Sequence, residues 1–384
     1  MEFPLHTYLN KLRADGAPPD YRDALYRNAQ PLAERGLPVI LTLGHLAHVT
    51  NVSYAILLGI VKRNTDPYRV FSIKKRNGNK RFICVPEPLL LYVQRWIHTF
   101  ILSNNYSLGL LSNNATAYMP NSSHVKNAKR HVGASWLVKL DITSFFESVS
   151  ERQVYHVFRK LGYRAQVAFC FARLCTRVMP RPQDMRFYCG TKRWKTGRKR
   201  KYLSTETMGH LPQGAPTSPM LANLICANID TELQVIAQRK GLVYTRYADD
   251  LIFSGHFDDR SGAVAHCAKV SSIISKNGFS INSQKTSISK NGGRKIVTGL
   301  SVDGSKVLLP RSYKDKIRQE LYYIGKNGLS DHCLRTGQKN QLPYLLHLDG
   351  KIRYIKSVEP TLGKKLEEQF NDIFPDFTAI KLLI

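Results

Sequence analysis

The spacing of apolar positions changes along the chain, and each change predicts an element. Residues 1–65 read as mostly helical, broken at Pro18-Pro19, with Leu41–Val61 as one apolar helix. Tyr68–Lys74 and Lys80–Val85 flank Asn77-Gly78, a pair that accepts the positive φ angles of a tight turn, which predicts a β-hairpin. Pro86–Leu102 returns to helical spacing, residues 112–124 are turn-rich, and Val125–His131 reads as a short helix. Trp136–Asp141 is an apolar strand ending on a carboxylate. Ser150–Val178 reads as one amphipathic helix, with Val154, Val157, Phe158 and Leu161 at helical spacing. Pro216–Gln238 follows as a long helix. Val243–Tyr247 and Leu251–Ser254 flank Ala248-Asp249-Asp250 as strand, turn, strand. Ala263–Asn277 reads as helix and Lys295–Val302 as a strand; Tyr313–Lys326, Gln341–Ile355 and Thr361–Phe374 are helical. A mixed α/β centre therefore lies between two helical regions, with no internal repeat.

Charge changes the picture most. The 384 residues carry 57 Lys and Arg against 28 Asp and Glu, a formal net charge of +29. Such an imbalance speaks of partners, here a polyanion. No apolar run approaches the roughly 20 residues of a spanning helix, and the N-terminus lacks the pattern of a signal peptide, so no membrane role is expected. The seven cysteines are scattered and odd in number, which suits a reducing cytoplasm. Cys170, Cys175, Cys189 and His210 match no familiar zinc spacing and read as ordinary thiols and an ordinary histidine. Residues 181–201 hold nine cations and one acid, a basic segment suited to a phosphate backbone or to a solvated surface.

Two segments carry candidate chemistry. Leu137–Phe146 (LVKLDITSFF) and Tyr244–Phe253 (YTRYADDLIF) each use an apolar strand to deliver acids to its end. Adjacent carboxylates repel one another, and a divalent metal removes that cost. Two such ions clamp the entering and leaving oxygens of a phosphoryl transfer. Asp258-Asp259, with no apolar strand before it, reads instead as a polar turn or helix cap.

These residues resemble a known family. Tyr247-Ala-Asp-Asp250 is similar to the catalytic turn of reverse transcriptases, and Asp141 with Phe145-Phe146 to their first catalytic segment. Leu211–Pro219 (LPQGAPTSP) resembles the segment between them, in the family's order. Lys74–Arg81 with Phe82-Ile83 resembles the fingers hairpin, and Gly278–Lys285 the segment ending in a lysine near the nucleotide phosphates. Asn127-Ala-Lys-Arg-His131 fits the NAxxH pattern, and Val297-Thr298-Gly299 the VTG triplet, of bacterial retron enzymes. Read without the resemblance, Asn127 and His131 simply cap and pack a helix, and Val-Thr-Gly ends a strand in a turn.

The resemblance implies an α+β right-hand polymerase with fingers, a palm built on an antiparallel sheet, and a helical thumb. Its expected divisions are a helical region at 1–65, fingers with early palm at 66–135, palm at 136–305, and an RNA-binding thumb at 306–384. Asp141, Asp249 and Asp250 are expected to hold two Mg²⁺ ions. Lys74 (or Lys75) and Arg81 would meet the triphosphate, and Gln213 would position the nucleotide. Phe146 would select against a 2′-OH, with Phe145 in the core, and Lys285 would assist the leaving pyrophosphate. Asn127, His131, Val297, Thr298 and Gly299 stand as family-motif or RNA-binding positions. In the thumb, Lys314, Lys316, Arg318, Lys326, Arg335, Lys339, Lys351, Arg353 and Lys356 supply cations, and Tyr322, Tyr323, Tyr344 and Tyr354 supply stacking faces, about half of them expected in the core. The implied activity is RNA-templated DNA synthesis from dNTPs on a cognate noncoding RNA. Priming from a 2′-OH of that RNA gives a branched RNA–DNA, and the system pairs with a separate effector protein in antiphage defence. The alternatives are another bacterial reverse transcriptase, from a group II intron or a diversity-generating element, and a noncatalytic RNA-binding scaffold.

Overall fold

The computed structural model describes residues 5–74, 78, 80–178 and 208–377. Lys75, Asn77, Cys189 and the basic segment 181–201 lie outside the described residues.

Helices α1 (Leu5–Ala14) and α2 (Pro19–Glu34) are separated at the two prolines. Pro18 caps α2 and Pro19 opens it, where a missing N–H costs nothing. The expected helix over 41–61 is two helices, α3 (Leu43–Thr50) and α4 (Tyr54–Val61). Asn51 ends α3 at φ 52°, a left-handed conformation that asparagine tolerates. Strands β1 (Tyr68–Lys74) and β2 (Lys80–Pro86) form the expected antiparallel hairpin. Helix α5 (Pro88–Ile97) runs into a π-helical turn at His98–Leu102, followed by α6 (Asn105–Gly109) and α7 (His124–Lys129).

Strand β3 (Trp136–Asp141) has the predicted bounds. The single helix expected over 150–178 is also two, α8 (Glu151–Leu161) and α9 (Ala165–Cys175), broken at Gly162 with φ 109°. Next come α10 (Ser218–Gln238), β4 (Val243–Tyr247), β5 (Asp250–Gly255) and α11 (Arg260–Lys276). Asp259 caps α11 by accepting from Gly262 N at 2.7 Å, as read for that acid pair. Strand β6 (Ser287–Lys290) follows, and then the expected strand over 295–302 folds back as a small hairpin, β7 (Ile296–Val297) and β8 (Leu300–Ser301). Its two loop residues, Thr298 and Gly299, both have positive φ, 48° and 85°. Helices α12 (Arg311–Asn327), α13 (Leu329–Arg335), α14 (Gln341–Val358) and α15 (Pro360–Ile373) close the chain.

The main sheet has the order β4-β5-β3-β6 with every neighbour antiparallel, so the fold is α+β. Side chains alternate across it. Val138, Leu140, Leu251 and Phe253 enter one core, shared with α2 to α5 and α8 to α11. Leu137 and Ile252 point the other way, into a second core completed by Val297, Leu300 and the four C-terminal helices. The sheet is thus covered on both faces, and the acids lie at one of its ends. Among the described residues no helix is long and apolar enough to cross a membrane. The six described cysteines are free thiols, with Cys170 and Cys175 buried in α9.

Candidate active site

Asp141 ends β3 and lies opposite Asp250, the first residue of β5. Tyr247 pairs with Asp250, so β4 and β5 are joined by a two-residue loop, Ala248-Asp249. Ala248 takes φ 56°, which an L-residue enters only at a cost. Ile142 N donates to the Asp249 carbonyl at 2.9 Å, which ties the loop to the end of β3. Three carboxylates therefore converge at one sheet end. Burial pushes the Asp249 carboxyl up to about 6, and the charges of Asp141 and Asp250 add to the effect. Asp250 is raised as well, mainly by burial, with Lys139 opposing from 3.5 Å.

Lys285 lies at the acids rather than apart from them, its Nζ 2.7 Å from Asp141 Oδ1. It reaches there because its segment runs beside β3: Thr143 N donates to the Ser280 carbonyl and Asn282 N to the Asp141 carbonyl, both at 2.8 Å. Among the described residues, no group of three or more His, Cys, Asp or Glu is arranged to hold a metal as the side chains stand. Two lysine ammoniums occupy oxygens of the acids instead. A carboxylate triad that draws two cations, with two of its acids raised by burial and mutual repulsion, fits a divalent ion by donor chemistry.

Behind the turn sits a fully buried ion pair. Arg246 donates to both carboxylate oxygens of Asp230, each at 2.8 Å, and Tyr244 Oη donates to Oδ1 at 2.9 Å. Arg246 Nη1 also reaches Asn223 Oδ1 at 3.0 Å and the Ala248 carbonyl at 3.2 Å. Burial alone would lower the arginine's proton affinity, but the Asp230 charge outweighs it and the guanidinium stays ionised. The pair thus holds the carbonyl of the strained loop residue.

The Leu211–Pro219 segment docks on the hairpin. The Gln213 carbonyl accepts from Cys84 N at 2.7 Å. Gly214 has φ 117°, and a Cβ there would lie 2.9 Å from the Cys84 carbonyl oxygen, so only glycine fits this approach. Glu151 anchors the entry to the segment by accepting from Gly209 N at 2.9 Å, itself paired with Arg63 and Arg173. Arg81 lies exposed on β2, close enough to act on the Tyr118 phenol near the acids. Lys74 sits at the exposed end of β1, opposite Lys80, and no described contact brings it to the acids. Phe145 is buried, whereas Phe146 is only partly covered.

The two short motifs are structural ties. Asn127 is wholly buried, its Oδ1 accepting from Thr116 Oγ1 at 3.0 Å. His131, also buried, contacts Ser254 Oγ through Nδ1 and Thr245 Oγ1 through Nε2, both at 2.7 Å. Their burial and internal hydrogen bonds fit the helix-packing reading of the motif. Val297 is likewise buried in the second core. Thr298 Oγ1 donates to the His124 carbonyl at 2.9 Å, and Gly299 completes the turn. Sequence reasoning missed Lys139, Tyr118, Asn223, Asp230 and Arg246. A partial signal was present for two of them, an acid (Asp230) inside a largely apolar helix and a single arginine (Arg246) inside its strand, but neither marks the other as its partner.

Residues 73–327 match the family described as reverse transcriptase (RNA-dependent DNA polymerase). The retron Ec86 reverse transcriptase of Escherichia coli is 30% identical over 89% of this chain and 97% of its own. The chain belongs to the retron-type reverse transcriptases. The retron Mx65 enzyme of Myxococcus xanthus is also 30% identical, over 90% of this chain and 74% of its own, and the retron Ec73 enzyme of E. coli 29%, over 81% and 89%. Among solved structures, a telomerase from Candida albicans in complex with telomeric RNA is similar at 12% identity and TM-score 0.41, covering 77% of this chain and 54% of that one. That likeness is too distant to bear on function. As a retron-type reverse transcriptase, the chain is an RNA-directed DNA polymerase, and its domain implies a divalent metal.

Proposed function

We propose that this polymerase copies a cognate structured RNA, priming from a 2′-OH of that RNA to leave a branched RNA–DNA. The observation that carries the active site is the convergence of Asp141, Asp249 and Asp250 at one sheet end. In this reading the sheet is the palm, the β1–β2 hairpin belongs to the fingers, and the helices after 306 form the thumb. Asp141 and Asp249 are the first ligands of two Mg²⁺ ions, with Asp250 acting alongside them. When bound, the ions supply charge stabilisation for the entering hydroxyl and the leaving pyrophosphate.

The chain's own residues do the rest. Arg246 and Asp230 hold the turn at its Ala248 carbonyl. Lys285 exchanges its contact with Asp141 for the developing charge on the leaving group. Arg81 receives the triphosphate and Gln213 positions the nucleotide, while Phe146 closes the space a 2′-OH would need. Lys74 adds charge at the hairpin end. The retron names of the relatives, with both motifs in place, support a dedicated RNA over a general template. The same reading includes a separately encoded antiphage effector, and the scattered free cysteines support a reducing, cytoplasmic setting.

Expression with the DNA flanking its gene, followed by extraction of small nucleic acids, tests this. The expected product is a short DNA that shrinks on treatment with RNase and debranching enzyme and is missing with Asp249→Asn. Linear DNA alone would defeat the branched-priming reading and leave the polymerase. Equal product from the Asp249→Asn protein would remove Asp249 from the metal site.

A further inference from the structure

We propose that Tyr118 is a nucleotide-site residue, forming with Phe146 an aromatic wall against the sugar of the incoming deoxynucleotide. This rests on the active-site reading above and adds a residue to it. Tyr118 lies in the turn-rich segment after α6 and has φ 60°, a conformation an aromatic residue rarely adopts. About half of the residue stays in solvent, at 49% exposure. Its ring centroid lies 6.3 Å from that of Phe146, the planes tilted by 52°. A large, half-exposed ring on strained backbone persists only where the surroundings over-determine it.

Those surroundings are the buried node that holds the catalytic turn. Thr116 N donates to the Arg246 carbonyl at 2.8 Å, and Arg246 N to the Asn114 carbonyl at 2.7 Å, which fixes the segment along β4. Asn223 Nδ2 then donates to the Ala117 carbonyl at 2.9 Å, while its Oδ1 accepts from Arg246 Nη1 at 3.0 Å. Arg246 Nη1 also donates to Ala248. One buried asparagine–arginine pair therefore fixes two left-handed residues, Ala248 beside Asp249 and Ala117's neighbour Tyr118. Asn127 of the NAxxH segment supports the same stretch through Thr116.

The ring's electrical setting agrees. Burial raises the Tyr118 phenol, the Asp249 charge adds to this, and Arg81 opposes it. The ring thus lies within electrostatic reach of both Asp249 and Arg81. A nucleotide whose phosphates are held by those groups would present its sugar to the wall. The phenol adds a polar tip that Phe146 lacks, able to donate to a sugar or base oxygen.

Single-nucleotide extension on an RNA template tests the assignment, with thermal melting run beside it. Tyr118→Ala is expected to raise KM for dNTP about five- to tenfold with kcat within about twofold, while Tyr118→Phe keeps most of the affinity. Melting should stay near wild type, because the ring is half in solvent. The Tyr118→Ala and Phe146→Ala effects on KM should combine non-additively, as for two faces of one wall. Unchanged KM in Tyr118→Ala overturns the proposal, and so does a fall in kcat that merely tracks a fall in melting temperature. Additive effects overturn the pairing with Phe146. If Phe146→Ala leaves discrimination between dNTP and NTP unchanged while Tyr118→Ala raises KM, the Phe146 gate fails and the Tyr118 assignment stands.

Discussion

At the scale of single residues, the acids work against the fold that holds them. Asp249 holds its proton up to about 6, against an ordinary value of 3.8, because burial and two like charges disfavour its ionised form. Between those values the folded chain binds more protons than the unfolded one, so this group's contribution to stability falls as pH rises through the window. Its cost is fully present above about 6 and absent below about 4. Without Mg²⁺, Asp249→Asn is therefore expected to melt about 2–4 °C above wild type at about pH 8, with the gap closing toward pH 4. Added Mg²⁺ should raise the wild-type melting temperature and leave the variant nearly unmoved. Identical melting curves at about pH 8 without metal would show that the carboxylate conflict is absent. Gly214 makes a different demand. An alanine Cβ would meet the Cys84 carbonyl oxygen at 2.9 Å and the Ile83 side chain at 3.0 Å, at a φ of 117°. Gly214→Ala should separate the Gln213 segment from the hairpin and cut extension by about 10²-fold while RNA binding persists. Extension at wild-type rate would mean that the hairpin gives way without affecting the site.

At the scale of elements, β3, the β1–β2 hairpin and the acid turn were legible because each is marked locally. Alternation, Asn-Gly or an acid closing an apolar run needs no distant partner. The helix breaks at Asn51 and Gly162 were not legible, since the apolar spacing runs on across each and one backbone angle decides the break. The strand expected over 295–302 failed for the same reason, as Thr298 turns the chain at φ 48°. The three acids and the Gln213 segment could be read, but their support could not. Asp230 and Arg246 meet only once α10 packs beside β4, which no spacing reveals. The NAxxH helix shows how such support behaves. Both ring nitrogens of His131 meet hydroxyls, and burial, with Arg130 nearby, lowers its proton affinity to about 3. Its folded value lies below the ordinary 6.5, so the unfolded chain takes up the proton first. The stability from the neutral ring is whole above about 6.5 and is lost as pH falls toward 3. His131→Leu should melt lower than wild type at neutral pH, because two buried hydroxyls lose a partner. It should also lose less on acidification to about pH 5. Parallel pH–melting curves for the two proteins would count against a neutral, buried His131.

At the scale of the whole molecule, the question is where a net charge of +29 is spent. Much of the basic C-terminal region is committed internally. Lys314 pairs with Glu359 at 3.0 Å, Lys351 with Glu320 at 3.5 Å, Arg353 with Asp349 at 2.9 Å and Lys356 with Glu367 at 2.6 Å. The aromatics divide likewise. Tyr322 and Tyr323 are 58% and 43% exposed, Tyr344 is buried, and Tyr354 packs beside His124 with its hydroxyl 3.1 Å from the ring nitrogen. Lys316, Lys326 and Lys339, by contrast, are exposed. The same residue type therefore does two jobs that mutation can tell apart. Glu359 accepts from Leu309 N at 2.7 Å as well as from Lys314, so Lys314→Ala unties the start of α12 from the end of α14. It should lower the melting temperature and leave the salt dependence of RNA binding intact. Lys326→Ala should do the reverse, weakening binding and reducing the slope of log affinity against log salt by about one. For the wild-type protein, contact with about six phosphates or more would cost roughly 10³-fold in affinity between 50 and 200 mM salt. A flat salt response would mean that the basic charge serves solubility and internal pairing, and that the RNA is held by shape and stacking instead.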